Sequence, residues 1–251
     1  MGLSSCFRNC KRQKLSIADV TPWYEKGKFC WLWVAITTTI AVYHIGSRRK
    51  EELLHLITDA FIGWLVTDGY GAYSSYEKRQ RCLAHLIRKA IALTQAVDKE
   101  ASDLGQWLLE ELRELIQTLI EGDGDDNHDP VPGRLKRVCF LAQAAEHPKL
   151  KALAKEILND WDAVVAFVYN PGLPPTNNEA KRALRHAVIA RRISYGTRSS
   201  EGSLAYSSLL SVVETCRLRK VDPWAYISKV ITLGRKGILP PPVPRTFQVA
   251  A

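Results

Sequence analysis

Seventeen consecutive residues, Phe29 to Ile45 (FCWLWVAITTTIAVYHI), carry no Lys, Arg, Asp or Glu. Such a run has to be hidden from water, in a membrane or in a folded core. It is shorter than the ~20 residues a membrane-spanning helix needs. Its Thr, Val, Ile and aromatic content, with three threonines at the centre, suits two buried β-strands. The spacing predicts a hairpin, Phe29–Thr37 and Ile40–Ile45. Around it, Leu15–Ile17 reads as a short strand ending ahead of Asp19. Arg48–Ala60 reads as an amphipathic helix, with Leu53, Leu54, Ile57 and Phe61 at helical spacing. Gly63–Thr67 reads as a buried strand that delivers Asp68 at its carboxyl end.

From Gln80 the period becomes helical. Leu83, Leu86, Ile87 and Ala90 fit one face, and a second helix spans about Ala101 to Ile120. The acidic loop Glu121–Gly133 superficially suggests a calcium loop. His128 stands where an EF-hand needs its turn glycine, so calcium is set aside. Helices are expected over Leu135–Glu146, Lys149–Phe167, from the cap at Thr176–Asn178 to about Ile193, and over Leu204–Arg217 and Pro223–Ile231. NPGLPP at Asn170–Pro175 breaks the chain before the capped helix. The expected fold class is α/β, with β-rich segments first and helices after.

Charge narrows the partner. Thirty-five Lys and Arg against 26 Asp and Glu leave a formal +9 among 251 residues, the balance of a chain that meets a polyanion. The basic residues cluster. Between Thr176 and Ser200 stand Lys181, Arg182, Arg185, Arg191, Arg192 and Arg198 with one acid, Glu179. A solvated helix face usually mixes signs, and this one does not. The run Lys78–Lys89 adds a second positive segment, with Tyr70, Tyr73 and Tyr76 nearby as stacking groups. Six cysteines (6, 10, 30, 82, 139 and 216) are too scattered for a disulfide framework. The N-terminus has no apolar signal core, and Cys6 stands where a myristoylation motif wants Ser or Thr. A cytoplasmic, nucleoid-associated chain with no membrane contact is expected.

Acids at strand ends in so basic a chain call for a reason. Asp19, Asp68 and Glu179 would repel if they converged, unless cations sat among them, and carboxylate oxygens suit Mg²⁺ or Mn²⁺. Two such ions would activate a water or a 3′-hydroxyl against a phosphodiester. The plainer alternative makes Asp19 a turn residue, Asp68 a loop residue and Glu179 a helix-start acid favoured by the dipole.

The stretches LSIADVTPW, KFCWLWV, WLVTDGYGAYSSYEKRQRCLAHLIRKA and NPGLPPTNNEAKRALRHAVIARRISYGTRSSEGSLAYSSLLSVVETCRLRKVDPWAYI resemble the catalytic part of DDE transposases of the insertion-sequence sixty-six family, from about Leu15 to Leu233. The resemblance implies a ribonuclease H-like mixed sheet, interrupted by a helical insertion between the second aspartate and the glutamate, with a helical C-terminal part. It implies two divalent ions (Mg²⁺ or Mn²⁺) on catalytic Asp19, Asp68 and Glu179, and DNA, element ends and target, as substrate. A homo-oligomer is compatible with it. Lys181, Arg182, Arg185, His186, Arg191 and Arg192 are then expected to hold the phosphate backbone.

The resulting layout has an unmatched segment 1–14, a first core part 15–85, a helical insertion 86–170, the rest of the core 171–233 and a Pro-rich tail 234–251. Cys82 and His85 have the separation of two zinc ligands, but no second pair completes a site. A structural or DNA-proximal role is expected of them. Two departures from the family stand out. Val20 follows the first aspartate where the family has an acid, and the upstream DNA-recognition modules of relatives are not represented. They define the alternative of a truncated, inactive remnant that only binds DNA or the full-length enzyme. A different ribonuclease H-like nuclease is a second rival, disfavoured by the long helical insertion.

Overall fold

The computed structural model describes residues 14–57, 61–121 and 131–244. Most of the expected segment 1–14, most of the acidic loop and the end of the tail lie outside these residues. The strands are β1 (Leu15–Glu25), β2 (Lys28–Ile36), β3 (Ala41–Gly46), β4 (Trp64–Thr67) and β5 (Arg79–Arg81). The α-helices are α1 (Leu83–Thr94), α2 (Lys99–Glu121), α3 (Val131–Ala144), α4 (Pro148–Asn159), α5 (Trp161–Tyr169), α6 (Asn178–Ser194), α7 (Ser200–Leu218) and α8 (Pro223–Arg235). The strands form one five-stranded mixed sheet, ordered β3-β2-β1-β4-β5, and the C-terminal half is mostly helical. The chain divides into two compact units. Among the described residues, one holds 14–57, 61–65, 71–75 and 178–244, the other 66–70, 76–121 and 131–177.

The first unit is built on the expected hairpin. β1 and β2 are antiparallel from Ile17↔Ile36 to Glu25↔Lys28, and β2 pairs β3 from Trp31↔Gly46 to Ile36↔Ala41. Leu32, Trp33, Val34, Ala41 and Val42 are fully buried, so the uncharged run fills a core. Asp19 lies inside β1, not past the end of a strand. The expected strand was too short because Thr21, Pro22 and Glu25 interrupt its apolar pattern, while pairing with β2 carries it on. Pro22 cannot donate to a ladder, and its carbonyl instead accepts from Arg191 Nη1. Farther along, Thr197 N–H donates to Tyr24 O at 2.9 Å and Lys26 N–H to Thr197 O at 2.9 Å. Gly196, at φ +94°, lies so close to Tyr24 O that no side chain fits there.

α7 covers β3 with hydroxyls. Ser203, Ser207, Ser211 and Thr215 recur every fourth residue and are all buried. Tyr43 N–H donates to Ser211 Oγ at 2.8 Å and Ala41 N–H to Thr215 Oγ1 at 3.1 Å. Thr215 Oγ1 returns a bond to Ala41 O at 3.1 Å. Backbone groups that would lack a strand partner are thus satisfied by side chains. Of the helix expected at 48–60, residues 58–60 lie outside the described residues, and the described part holds a 3₁₀ turn, Lys50–His55. Leu53 and Ile57 are buried as its pattern required, but Leu54 is exposed. Glu52 is drawn back to Ser47, and so short a segment does not sustain an α-helix.

The second unit is a helical layer on β5. Gln80 is fully buried. Its Oε1 accepts Phe167 N–H at 2.8 Å, and its Nε2 donates to Val164 O at 3.3 Å, fastening β5 to α5. α1 packs on α2 and α4, and α3 packs on α2 and α4. Leu83, Leu86, Ala90 and Leu93 form the buried stripe of α1. The helix expected over Lys149–Phe167 is two, broken at Asp160, whose carboxylate accepts from Arg79 at 2.7 and 3.2 Å. Trp107 is 43% exposed and donates to Glu111 Oε1. No described helix is long and apolar enough to cross a membrane, and the described cysteines 30, 82, 139 and 216 form no disulfide among the described residues.

Candidate functional site

Sheet geometry decides what Asp19 faces. Paired residues of antiparallel strands share a face, and neighbours along a strand alternate. Asp19, Val34 and Tyr43 therefore form one row on one face of the sheet. Tyr43 Oη donates to Ala183 O of α6 at 2.9 Å. α6, which packs on β1 and β2, thus lies on the face that bears Asp19, and Glu179 is in its first turn, one turn before Ala183. Burial pushes the Tyr43 hydroxyl well above its usual range, keeping it a neutral donor for this tie. Asp19 is 8% exposed, and its Oδ1 accepts Val20 N–H at 2.9 Å. Glu179 is exposed and lies 3.7 Å from Arg182.

The same alternation settles what Val20 does. Val20, Trp33 and His44 form the adjacent row, on the opposite face. An acid at position 20 would point away from Asp19, so valine there takes no charge from the face that Asp19 shares with α6.

Asp68 belongs to the second unit. It follows β4, is half-buried, and accepts Tyr70 N–H on Oδ1 at 3.0 Å. The neighbouring Gly69 lies against the Arg81 guanidinium, where any side chain would collide with it. Arg81 is 4% exposed and ion-pairs with Glu156, which also takes Lys89 Nζ at 2.5 Å. Burial pushes the Glu156 carboxyl up, but Lys89 and Arg81 more than offset this and hold it below its ordinary value. Arg81 was visible only as one cation in the run Lys78–Lys89. What singles it out is Gly69 directly after Asp68, a small residue where a guanidinium needs room.

The basic residues of α6 separate into two sets. Arg182, Arg185, His186 and Arg192 are exposed. Arg191 is turned to β1, with Nη1 on Thr21 Oγ1 at 3.2 Å and on Pro22 O. Lys181 is half-buried, and its covered Nζ has no hydrogen-bond partner among the described residues. Cys82 is fully buried ahead of α1, and its Sγ accepts Asn177 N–H at 3.3 Å, while Leu83 N–H donates to Pro175 O at 2.9 Å. These bonds tie the NPGLPPTN stretch to the start of α1. His85 is half-buried in the first turn of α1. Among the described residues, the His, Cys, Asp or Glu side chains close enough in threes to share an ion are His44, Glu52 and His55.

An α/β chain with carboxylates on strand and helix and a cationic helix beside them has the parts of a polyanion-handling protein. The sequence pattern described as "Transposase IS66 family" matches residues 7–205, and the chain belongs to that family. Three relatives come from Sinorhizobium fredii (strain NBRC 101917 / NGR234), all named only as uncharacterized proteins. The chain is 23% identical to y4jD over 84% of its own length and 47% of the relative's. It is 22% identical to y4qI over 88% of itself and 47% of the relative. Against y4hP it is 33% identical, over 30% of itself and 14% of the relative. The chain spans about half the length of the relatives that match most of it.

Proposed function

We propose that the chain is the catalytic part of a DNA transposase, on a ribonuclease H-like sheet. In this reading Asp19, Asp68 and Glu179 hold divalent ions, Mg²⁺ or Mn²⁺, and the substrate is DNA at element ends and at the target. The observation that carries it is the row Asp19–Val34–Tyr43 tied to α6, which puts a buried carboxylate and the Glu179 helix on one sheet face. The donor set fits a hard cation: three carboxylates and no thiol or imidazole. When bound, the ions would polarise the scissile phosphate and lower the pKa of the attacking water or 3′-hydroxyl.

The protein's own part is to hold and orient. Arg182, Arg185 and Arg192 offer an exposed cationic strip for phosphates, with His186 exposed beside them as a hydrogen-bonding group. Arg191, bonded to β1, acts as a positioning residue that fixes α6 on Asp19's face. Arg81, against Gly69 and anchored by Glu156, holds the backbone beside Asp68. Val20 lies on the sheet face opposite Asp19, so the neutral residue there does not weigh against a charged site on the Asp19 face.

The test is divalent-dependent nicking of element-end DNA. Asp68→Ala and Glu179→Ala should each abolish it, with DNA affinity in EDTA unchanged or higher because negative charge is lost. Cleavage that survives both changes would remove the triad assignment. Arg182→Ala with Arg185→Ala should flatten the log–log salt dependence of DNA affinity by up to about 2.

A further inference from the structure

The sheet face opposite Asp19 carries a second constellation, which the transposase reading does not use. His44 stands on β3 in the row with Val20 and Trp33, and Glu52 and His55 stand on the 3₁₀ turn Lys50–His55 that packs against β3. His44 Nε2 lies 2.6 Å from Glu52 Oε2, and His55 Nε2 lies 4.0 Å from the same oxygen. The two imidazoles are stacked, with centroids 4.3 Å apart and planes 25° from parallel. One nitrogen of each histidine and one carboxylate oxygen lie within 4.8 Å of one another.

We propose that His44, Glu52 and His55 form a binding site for a transition-metal ion of the Zn²⁺ class. Two imidazoles and one carboxylate, with a water as fourth ligand, are a known donor set for such ions. Hard Mg²⁺ prefers oxygen throughout, so this site and the acidic one select different metals. Bonds of ~2.0–2.1 Å in a tetrahedron put ligand atoms ~3.3 Å apart. The present separations of 2.6 and 4.0 Å bracket that spacing, and binding requires Glu52 Oε2 to shift from His44 toward His55 and the stacked, exposed His55 ring to tilt until its nitrogen faces the ion.

The surroundings hold the carboxylate for this. Its other oxygen, Oε1, accepts Ser47 N–H at 2.9 Å and Ser47 Oγ–H at 2.8 Å, the outer support that ligating carboxylates use. Ser47 O is itself fixed by Trp33 Nε1–H at 2.8 Å, so the support reaches the buried core. Gly46 leaves the cradle open, since a methyl group there would come within 2.5 Å of Glu52 Oε2. His44 and Glu52 are largely covered, with side chains 24% and 20% exposed, while His55 at 60% leaves a path for the ion. On binding, His44 ligates through Nε2 as a neutral imidazole, and the proton it shared with Glu52 Oε2 moves to Nδ1, with no net proton released.

The experiment is calorimetric titration of the full chain with ZnCl₂ in a non-chelating buffer, beside His55→Ala, Ser47→Ala and an Asp68→Ala/Glu179→Ala double variant. One Zn²⁺ per chain is expected, with a raised thermal midpoint at saturation. His55→Ala should weaken binding by about 100-fold or more and Ser47→Ala by about 10- to 100-fold, the range for losing an outer-shell partner. The double variant should bind as the parent does, which keeps this proposal separable from the transposase reading. Because His55 is exposed, His55→Ala should keep the parent's circular dichroism and its thermal midpoint in EDTA. No Zn²⁺ binding by the parent overturns the proposal. So does full affinity in His55→Ala, which would move the ion elsewhere, or loss in the double variant, which would move it to the acids.

Discussion

The two units hold themselves together by different chemistry. In the first, β3 is joined to α7 by neutral groups: the Ser211 and Thr215 hydroxyls against the backbone of Ala41 and Tyr43. In the second, β5 is joined to α4 and Asp160 by charge: Arg79 with Asp160, and Arg81 with Glu156, which Lys89 also reaches. Neutral hydrogen bonds do not change with protonation near neutrality and are little screened by salt. Ion pairs change with both. One unit should therefore keep its joints across conditions in which the other loosens.

The largest effect tests the charged joint. Arg81→Ala leaves a partly buried Glu156 with only Lys89, and breaking such a pair costs about 3–5 kcal/mol. Urea unfolding should show that loss, and a cost below ~1 kcal/mol would mean that Arg81 is not the anchor of the joint. Next comes the neutral joint. Thr215→Val keeps the shape but orphans the buried Ala41 N–H and C=O, which should cost about 1–3 kcal/mol. That cost should be the same at low and high salt, and a strong salt dependence would break the comparison.

The pH response sharpens it further. Glu156 has its folded pKa below the ordinary value, so it adds stability that is full above about 4.5 and is lost as pH falls through the depressed folded value. The parent should lose urea resistance between pH 6 and 3 more steeply than Glu156→Gln; parallel curves would show that the pairing carries no linkage. The smallest effect belongs to Lys89, whose side chain is 53% exposed. Lys89→Met should cost less than about 1 kcal/mol, and the difference should vanish in 1 M salt.

Much of this arrangement was legible in the residues. The uncharged run Phe29–Ile45 could only be two covered strands, and the caps around Thr176–Asn178 correctly opened the helix that carries Glu179. What escaped depended on partners remote in sequence. β1 continues through Thr21, Pro22 and Glu25 because β2 pairs with it throughout, a fact absent from its own pattern. β5 is three polar residues, and Gln80 is buried there only because α5 supplies Phe167 N–H and Val164 O. The acids of the expected site were found by motif. Which of them share a face required the register and the bond from Tyr43 to Ala183. His44, Glu52 and His55 went unnoticed because the segment 48–60 was read as an α-helix, which hid the fold-back of Glu52 on His44.

The hydroxyls of α7 also bear on what the protein does in company. A free sheet margin invites another chain to continue the ladder, the step that starts strand swapping and fibre growth. At β3 the amides of Ala41 and Tyr43 already give their hydrogens to Ser211 and Thr215. An arriving strand would have to evict a packed helix before forming its first bond there. If copies of this chain pair on DNA, they must meet through surfaces other than that margin.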